Sequence, residues 1–572
     1  MTDQEFDIAI DPGFEERADQ IDESVLRDGT VKNDHFDRIE EALVARGLVL
    51  LQGPRGCGKT HLMRYTALRC REDDTRPLAI YVSFNRYLRL EPLLHRNADA
   101  IVAFQAWVLA NILVEADKLA SILDKSDRLD VPGLLGLERE TLDRLVDHLE
   151  RQIDRTEEDD AAVRALSVQG VRSAIVAMCD HYRRSRAVVL LDDAALTLTP
   201  EFLVEFFEVV RVLKHNRISP KASVYPGSTE YGPRFHASHE GRTVSAWLPV
   251  ESERYVDTMR SIALKRYPDV SKVPPDVDEL LIYAAFGIPR AYLTMLREYN
   301  NERQLNPQQA VNAIIQDRNK LLLTEYRSLA MKVPRLKTLV TTGEVFFSQA
   351  VEAIRVANEE MLREEKQLVL GLETGGLTPI VNRMLNLLIE AGLLFEYKTE
   401  VSHGGTERVY RRFTPHLVAL LAVRAFSGKS RGGSPKQIVE VLKRPSTKHP
   451  VRRKIDTLLE PSVVAGLRFD LPPCQRCDQP RISESQLFCA NCGTRLVSQS
   501  TFENCMKAPL DVVPNLTPWL IAKVSTAEIH TVGDVVAMQD PGTELRKIQR
   551  VGEKRAERVA SAITAYVDEY LS

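Results

Sequence analysis

An apolar run from Leu48 to Gln52 leads directly into the octapeptide Gly53-Pro54-Arg55-Gly56-Cys57-Gly58-Lys59-Thr60. Residues His61 to Cys70 have the composition of a helix, so the predicted order is strand, glycine-rich loop, helix. The glycines let backbone N–H groups face a phosphate, and the next helix presents its positive N-terminal end. Lys59 can reach the β- and γ-phosphates of a nucleotide, and the Thr60 hydroxyl can bind Mg²⁺. The segment predicts a nucleoside-triphosphate site of the P-loop type.

A second strand, further along the chain, ends in two acids. The run Ala187-Val188-Val189-Leu190-Leu191 precedes Asp192 and Asp193, and its composition is typical of a strand buried on both faces of a parallel sheet. We expect Asp192 to hold Mg²⁺ through water and Asp193 to polarise the attacking water. Residues Arg76 to Phe84 predict the intervening strand. The expected fold class is an α/β P-loop core, with a parallel sheet and helices on both faces, followed by smaller modules.

Two more segments extend this pattern. Residues Ala222 to Thr229 begin as a further strand, and Gly287-Ile288-Pro289-Arg290 begins a helix. Together with the P-loop and the acidic strand, these segments resemble AAA+ ATPases of the origin-recognition-complex (ORC) type, and also the neighbouring STAND signalling ATPases. The resemblance covers roughly residues 33 to 330.

The resemblance implies ATP and Mg²⁺ as cofactors and assigns roles to single residues. Arg290 would be the sensor-2 arginine on the γ-phosphate, Pro289 would lie near the base, and Ser228 or Thr229 would read the γ-phosphate. Asp193 stands where many AAA+ proteins have Glu, and its shorter reach to water implies slow hydrolysis, as in a switch rather than a motor. The nucleotide-binding set is then residues 53–60 with Ser228, Thr229, Pro289 and Arg290, and the catalytic set is Lys59, Asp192, Asp193 and Arg290.

The sequence identifies no arginine finger. Arg234 and Arg242 follow the sensor-1 segment and are candidates, the alternative being a surface arginine or an ion pair. About 130 residues separate the P-loop from Asp192. Within them, Glu115 to Ala165 reads as an acidic, amphipathic helical insertion that serves packing or oligomer formation.

Residues Thr378 to Leu421 fit a winged helix. The apolar spacing of Pro379 to Ala391 predicts a helix that ends at Gly392, and the strands Leu393–Tyr397 and Val409–Phe413 flank a turn at His403-Gly404-Gly405. Arg408, Arg411 and Arg412 lie near this wing. In ORC-type ATPases such a domain binds duplex DNA, with its helix in the major groove. Protein contact is the alternative, because the predicted helix carries one basic residue, Arg383.

Charge is strongly segregated along the chain. Residues 1–30 carry ten acidic and two basic side chains, whereas residues 424–454 carry ten basic side chains and one acidic. A basic cluster of one sign can release counterions from nucleic acid, so this segment is either a phosphate contact or a solvated linker. We interpret the acidic stretch as a flexible arm that can compete for a basic surface.

Eight cysteines divide into two groups. Cys474, Cys477, Cys489 and Cys492 form two C-x-x-C pairs separated by eleven residues, a zinc-ribbon pattern that predicts structural Zn²⁺ with no open coordination position. The other four, Cys57, Cys70, Cys179 and Cys505, have no paired spacing and are expected to be free thiols. Two tight pairs favour metal in a reducing compartment rather than disulfides.

The last segment, Leu516 to Leu571, resembles tandem helix-hairpin-helix domains. Residues Ile548 to Ala556 match their hairpin, except that Arg550 replaces the first glycine. In that family the hairpin N–H groups hold a DNA phosphate without reading sequence. Without this glycine the hairpin backbone can be kept from a close approach to a DNA phosphate, so a small helical protein-interaction domain is the alternative. A turn at His530 to Asp534 is a weaker first hairpin.

These observations predict a multidomain cytoplasmic protein. The longest apolar runs noted, His416–Val423 and Ala187–Leu191, are far shorter than a membrane span, and the first thirty residues lack the features of a secretory signal. The predicted units are an acidic flexible arm (1–32), the ATPase core (33–250, insertion at about 100–170), a helical lid (251–335), the winged helix (336–427), a basic linker (428–470), the zinc ribbon (471–500) and the helix-hairpin-helix unit (505–572).

Two functions from different classes follow. The first is an ATP-binding, slowly hydrolysing switch that engages DNA through its C-terminal modules, self-associates and recruits partners in a nucleotide-dependent way. The alternative is a STAND-like sensor, for example in anti-phage defence, whose C-terminal modules bind a protein trigger or partner effector. No effector motif is visible in the sequence, so an effector would be a separate chain.

Overall fold

The computed structural model describes residue 18 and residues 21–571, apart from 86, 92, 97–98, 125, 152, 194–199, 227–234, 236–239, 302–305, 363–364, 398, 403–407, 428–433, 444–450, 475, 482–485, 487, 495, 497–500 and 539. Most of the predicted acidic arm lies outside the described residues. Its last part is folded: helix α1 (Glu23–Gly29) buries Leu26 in a small cluster with Ile21 and Tyr65. The prediction of a flexible arm up to residue 32 was therefore wrong at its end, because Ile21 and Leu26 have apolar neighbours to bury against.

Five parallel strands form the sheet that carries the P-loop. They are β1 (Leu48–Gln52), β2 (Leu78–Ser83), β3 (Ala187–Asp192), β4 (Ile218–Val224) and β5 (Gly241–Ser245), in the spatial order β2-β3-β4-β1-β5. In register, Leu50 pairs with Ala222 of β4, and Leu191 of β3 pairs with that same residue. The P-loop strand and the acidic strand are thus separated by one strand, and both end at the same edge of the sheet.

Helices cover both faces of this sheet. Along β3, Val188 and Leu190 pack with α2 and α3, whereas Val189 and Leu191 belong to the core on the opposite face. Because successive residues of a strand point to opposite faces, the uninterrupted apolar run fills two cores. The predicted fold class, an α/β P-loop core with additional helical units, is confirmed. The helices of this region are α2 (Asp34–Val44), α3 (Lys59–Glu72), α4 (Leu93–Arg96), α5 (Ala100–Leu123), α6 (Arg139–Arg151), α7 (Glu157–Ala165), α8 (Val168–His181) and α9 (Pro200–Leu213).

By length and composition alone, helix α5 is long and apolar enough to cross a membrane. The sequence analysis did not identify this apolar stretch. Most of it is buried inside the protein, where Phe104 and Trp107 pack with Phe84 after β2 and with Phe202 of α9. The helix therefore forms a layer of the ATPase core. Helix α6 packs on it through Leu142, Leu145 and Leu149.

A second body contains the lid and the winged-helix region. Residues between Trp247 and Leu467 share one hydrophobic cluster, so the predicted boundaries at 335 and 427 do not separate independent cores. Its strands β6 (Leu370–Glu373), β7 (Leu394–Glu396), β8 (Val401–Ser402), β9 (Val409–Pro415) and β10 (Val451–Arg453) have the order β10-β6-β9-β7, with β8 paired to β9. Its helices are α10 (Tyr255–Arg266), α11 (Pro275–Ala284), α12 (Pro289–Asn301), α13 (Pro307–Lys332), α14 (Lys337–Glu360), α15 (Pro379–Glu390), α16 (Leu417–Ala422), α17 (Pro435–Leu442), α18 (Ile455–Leu458) and α19 (Pro461–Ala465).

The predicted basic linker at 428–470 is a folded part of this body wherever the structure describes it. Val439 and Leu442 of α17 are buried, Lys443 pairs with Glu279 of α11 at 2.8 Å, and β10 pairs in parallel with β6. The linker prediction was wrong because it weighed the cations and not the apolar residues between them. Four of the ten cations, Lys429, Arg431, Arg444 and Lys448, lie outside the described residues.

The C-terminal unit folds back onto the rest of the protein. It consists of α20 (Thr501–Met506), α21 (Pro518–Ser525), α22 (Val532–Val536), α23 (Pro541–Arg546) and α24 (Glu553–Leu571). Its buried residues, among them Leu520, Leu545 and Val559, belong to the same hydrophobic cluster as β2 and α5 of the ATPase core. Lys332, at the end of α13, lies 5.6 Å from the centre of the Tyr570 ring. The unit therefore contacts both the core and the lid.

Candidate nucleotide site and further candidate sites

The P-loop wraps at the edge where β1, β3 and β4 end. Gly53 donates its backbone N–H to Val224 O at 3.3 Å, which ties the start of the loop to the end of β4. Gly56 and Gly58 have φ values of +80° and +94°, a left-handed region that L side chains rarely adopt. A Cβ at Gly56 would also lie 3.0 Å from Ile288 and 3.1 Å from Arg290. Backbone conformation favours glycine at both positions, and the close approach of the lid adds a second reason at Gly56.

Lys59 is buried and turned back onto its own loop. Its ammonium donates to Gly53 O at 2.6 Å and to Pro54 O at 3.2 Å, and it lies 4.3 Å from the centre of the Tyr225 ring. Tyr225 is the first residue after β4, so strand pairing with β1 brings it here. Sequence reasoning missed Tyr225, because its contact with Lys59 depends on the neighbouring position of β4 and β1.

The two acids stand next to this loop in different environments. Asp192 is fully buried, accepts a hydrogen bond from the Tyr81 hydroxyl at 2.9 Å, and has no partner for Oδ1 among the described residues. Burial and the two neighbouring carboxylates raise the pKa of Tyr81 well above its usual value, so Tyr81 stays a donor. A buried acceptor without a partner fits a water of hydrated Mg²⁺. Asp193 has φ +51° and lies 3.5 Å from the Ser83 hydroxyl.

The lid brings Arg290 to the P-loop. Arg290 is the second residue of α12, and its backbone N–H donates to Gly56 O at 3.4 Å. Pro289 and Arg290 line the same cavity as Lys59, Thr60 and Asp193. The structure thus unites the P-loop, the acidic strand and the lid residues that the sequence selected from positions more than two hundred residues apart.

A cavity of about 860 Å³ holds these groups together. Its wall away from the acids includes Ile21, Val31 and Phe36, which suits an apolar ring. There the Thr30 hydroxyl donates to Leu26 O at 2.6 Å, so it accepts from His61 Nε2 at 2.8 Å. Burial, Arg266 and Arg64 lower the pKa of His61 to about 4, so the imidazole is neutral near pH 7.

Arg55 connects the P-loop with the winged-helix region. Arg55 is exposed as a residue, but its guanidinium lies among protein groups. Desolvation by itself would lower its pKa, but hydrogen-bonded Tyr225 and the carboxylates of Glu390 and Asp193 outweigh this effect and raise that pKa. Its guanidinium lies 5.8 Å from the centre of the Tyr225 ring. Glu390 is the last residue of α15 and lines the cavity with Arg55. No local signal in the sequence places Glu390 here, because it belongs to a different unit.

The backbone that follows α15 touches the loop as well. A Cβ at Gly392 would lie 3.6 Å from Pro54 Cβ and 3.6 Å from Ile288 Cδ1. Nearby, Phe395 of β7 packs on Trp247, with ring centres 4.9 Å apart. The end of the predicted DNA-binding helix is therefore part of the wall of the nucleotide cavity.

Comparison with known proteins agrees with this geometry. Residues 16–157 match the family model described as ORC-CDC6-like. This part of the chain is therefore similar to ORC-CDC6-like ATPases. No curated protein sequence gives a significant match.

Several solved structures match the chain at low sequence identity. The Walker-type ATPase PABY2304 of Pyrococcus abyssi has 15% identity and a TM-score of 0.37, covering 69% of this chain and 95% of its own. The ORC1 protein of Aeropyrum pernix in complex with DNA has 16% identity and a TM-score of 0.29, with coverage of 70% and 93%. The ORC2 protein of Aeropyrum pernix, solved as ADPNP–ADP complexes, has 14% identity and a TM-score of 0.32, with coverage of 73% and 92%. Residue roles in this chain rest on its own geometry.

Three candidates of the ORC-type domain remain predictions. Ser228 and Thr229, proposed to read the γ-phosphate, and Arg234, a candidate arginine finger, lie outside the described residues. Arg242 is exposed on the edge strand β5, opposite Val49, and does not line the cavity as far as the chain is described.

The four cysteines of the zinc-ribbon pattern converge. Their sulfur atoms all lie within 4.8 Å of one another, with Cys474–Cys492 and Cys477–Cys489 each at 3.5 Å. Tetrahedral zinc with Zn–S bonds of about 2.3 Å places its sulfurs about 3.8 Å apart, so the cluster fits such an ion. The remaining four cysteines are buried and form no disulfide. Burial raises the pKa of Cys70 and Cys179 to about 11, which keeps these thiols protonated.

The predicted DNA-contacting face of the winged helix is packed. No residue of α15 after Pro379 is exposed. Arg411, predicted near the wing, donates to Glu396 and Asn382, and the Arg412 guanidinium lies 4.8 Å from the centre of the Tyr397 ring. Arg408 is exposed, whereas the turn at His403-Gly404-Gly405 lies outside the described residues.

The hairpin between α23 and α24 is open to solvent. Arg550 adopts φ +72°, a left-handed conformation that favours glycine. An L residue there costs roughly 1 kcal/mol. Its carbonyl accepts from Arg555 Nη1 at 3.0 Å. Arg550 therefore places a cation on a hairpin whose backbone is left-handed at this position.

Proposed function

We propose that this protein is an ATP-dependent switch that hydrolyses ATP slowly and engages DNA through its C-terminal modules. The observation that carries the proposal is the shared wall between the P-loop and the end of α15, formed at Arg55, Glu390 and Gly392. A nucleotide entering the cavity must approach a loop on which the winged-helix region already rests. Nucleotide state and winged-helix position are thereby linked.

Binding begins with release of Lys59. Its two bonds to loop carbonyls satisfy the ammonium without a ligand, and the phosphates of ATP would exchange these contacts for charge-assisted ones. The N–H groups of residues 56–60 and the N-terminus of α3 supply the remaining anion contacts. Arg290 then neutralises charge at the far end of the phosphate chain.

Hydrolysis would use the two acids unequally. Thr60 and Asp192 are the residues that would hold Mg²⁺, which neutralises charge on the β- and γ-phosphates. Asp193 would orient the attacking water. Its side chain is one carbon shorter than Glu and starts from a left-handed backbone, so we propose slow turnover.

Transmission to the DNA-binding region would pass through Arg55. Phosphate oxygens compete with Glu390 for this guanidinium, since both are anions and Arg55 has one planar set of donors. When phosphate binds Arg55, the electrostatic attraction between Arg55 and Glu390 weakens, and the end of α15 is held less firmly to the P-loop. ATP is therefore expected to loosen α15, which packs against its neighbours and exposes no residue after Pro379 in this structure.

DNA is the proposed partner because exposed cations lie on the C-terminal modules, at Arg408, Lys454 and the hairpin around Arg550. One solved structure of similar fold is the ORC1 protein in complex with DNA. The cysteine cluster would hold structural Zn²⁺ and position this part of the chain. Self-association with ATP and DNA is part of the proposal.

The test is duplex binding by fluorescence anisotropy with ATP, ADP or no nucleotide. We expect ATP to tighten binding in the wild type, Lys59→Ala to remove this effect, and Glu390→Gln to give the tight state without nucleotide. Glu440→Gln, an exposed change on α17, is the matched control. Affinity should fall steeply with salt. Equal affinities in all nucleotide states would overturn the proposal.

The sensor function is the second candidate. The packed α15 favours it, because a winged helix without an exposed recognition face suits protein contacts. Size-exclusion chromatography with light scattering separates the two: larger species that need both ATP and DNA support the DNA switch. An ATP-dependent oligomer that is indifferent to DNA supports the sensor.

A further inference from the structure

One tryptophan differs from the other two in its exposure. Trp107 and Trp247 are 1% and 4% exposed, whereas Trp519, the second residue of α21, is 44% exposed. A large aromatic side chain left in water gives up the burial that stabilises the other two. An exposed indole beside cations can stack with a planar ring whose neighbouring groups are anionic.

Trp519 is joined to the second hairpin. The Arg555 guanidinium lies 4.7 Å from the centre of its ring, and the same side chain donates to Arg550 O. Residues 546–558 carry six basic and two acidic side chains, all of them exposed. One of the acids, Glu553, is paired with Arg546 at 2.8 Å. We call Trp519, Arg550, Lys554 and Arg555 the Trp519 surface.

The first hairpin of the same unit lacks these properties. Its left-handed residue is Glu528, with φ +61°, so an acid stands where the second hairpin has Arg550. The backbone N–H groups of His530 and Thr531 both donate to the Asp534 carboxylate at 2.8 Å. An internal carboxylate thus takes the place that an external anion would use. Within one unit, the first hairpin is closed to phosphate, and the second is basic and next to an indole.

We propose that the Trp519 surface binds nucleic acid with an unpaired base, the base stacking on Trp519 and the flanking phosphates contacting the cations. The proposal rests on the proposed function for nucleic acid as the partner class. A duplex offers phosphates but keeps its bases stacked inside, so it cannot use an indole. A single strand or an unpaired end offers both a planar ring and phosphates. An acidic peptide offers only charge.

The test compares a labelled oligo(dT), an oligo(rU) and a duplex of equal length on the full-length protein. Trp519→Ala should weaken single-strand binding about 5- to 100-fold, as for other stacking aromatics, and leave duplex binding unchanged. Trp519→Phe keeps a ring and should retain most of the affinity. Arg550→Glu should weaken both ligands. Glu528→Gln, at the left-handed position of the first hairpin, is the matched control and should change neither.

Fluorescence gives a second readout. Because Trp107 and Trp247 are buried, quenching of tryptophan emission by single strand reports on Trp519 and should vanish in Trp519→Phe. Equal effects of dT and rU would show that base and phosphate suffice, and a preference would point to the 5-methyl group or the 2′-hydroxyl, the two groups in which these strands differ. The inference is overturned if Trp519→Ala leaves single-strand affinity unchanged, if it weakens duplex equally, or if polyglutamate quenches and dT and rU do not. A wild type that binds duplex in an ATP-dependent way without these effects refutes this inference alone, whereas no binding to any nucleic acid refutes the proposed function.

Discussion

Removing the ring of Tyr225 should tighten ATP binding. The ring lies 4.3 Å from the Lys59 ammonium, and the phosphates compete for that same ammonium. The contact stabilises only the nucleotide-free loop, so ATP has to break it. Tyr225→Ala removes this competitor and leaves the carbonyl contacts of Lys59 in place.

The magnitude follows from the burial of the pair. Cation–π contacts contribute about 0.5–1 kcal/mol at exposed sites and about 2 kcal/mol when desolvated. Lys59 is buried and Tyr225 half-buried, which places this contact at about 1–1.5 kcal/mol. At about 1.4 kcal/mol per factor of ten, the affinity for ATP should rise about 5- to 10-fold.

Isothermal titration calorimetry of the full chain with Mg²⁺ and a non-hydrolysable ATP analogue measures the change. Tyr225→Phe is the control: it keeps the ring over Lys59 and removes the hydroxyl hydrogen-bonded to Arg55, so it should change affinity less than about twofold. A folded Tyr225→Ala protein with wild-type or weaker affinity would refute the idea that Tyr225 holds Lys59 in a retracted position.

Three other outcomes are expected. In a steady-state ATPase assay, Asp193→Asn should keep nucleotide affinity and slow hydrolysis by about 100-fold, as for loss of a general base. Asp193→Glu should speed hydrolysis. An unchanged rate in Asp193→Asn would show that another residue orients the attacking water. Metal analysis should find one zinc per chain, lost in Cys489→Ser and kept in the control Cys505→Ser; zinc retained by Cys489→Ser would contradict the four-sulfur site. Burial, Arg186 and Arg242 lower the pKa of Lys221 from 10.5 to about 7. Between pH 7 and pH 10.5 the unfolded chain therefore binds more protons than the folded protein, and the free energy of unfolding rises with pH in this range. From pH 7 to pH 9 the free energy of unfolding of the wild type should rise by about 2 kcal/mol more than that of Lys221→Met, as measured by thermal unfolding. If the two proteins show parallel dependence on pH, Lys221 does not titrate in this range.

The nucleotide site was predictable because its residues follow strands. Lys59 and Asp192 lie at the carboxyl ends of β1 and β3, and parallel strands bring such ends to one edge whatever the length of the insertion between them. The left-handed conformations of Gly56 and Gly58 were likewise fixed by local sequence. These features need only short-range patterns and the geometry of a sheet.

The remaining features depend on contacts between units. The approach of Glu390 to Arg55 joins residues with no shared pattern, and α5 was missed because Gln105 and Asn111 interrupt its apolar run although both are half-buried. The basic segment was interpreted from its cations, whereas Val439 and Leu442 determine its placement. Charge is conspicuous in a sequence, but burial decides packing.

The docking of the C-terminal unit affects how the chain folds during synthesis. Its apolar residues complete the cluster that begins at β2 and α5, yet they leave the ribosome long after those elements. Until α24 emerges, the partly built ATPase core exposes the surface that this unit covers, including the neighbourhood of the short helix Tyr87–Leu90. A nascent chain of this protein therefore depends on α24, and variants that lack this helix should aggregate rather than yield an isolated ATPase.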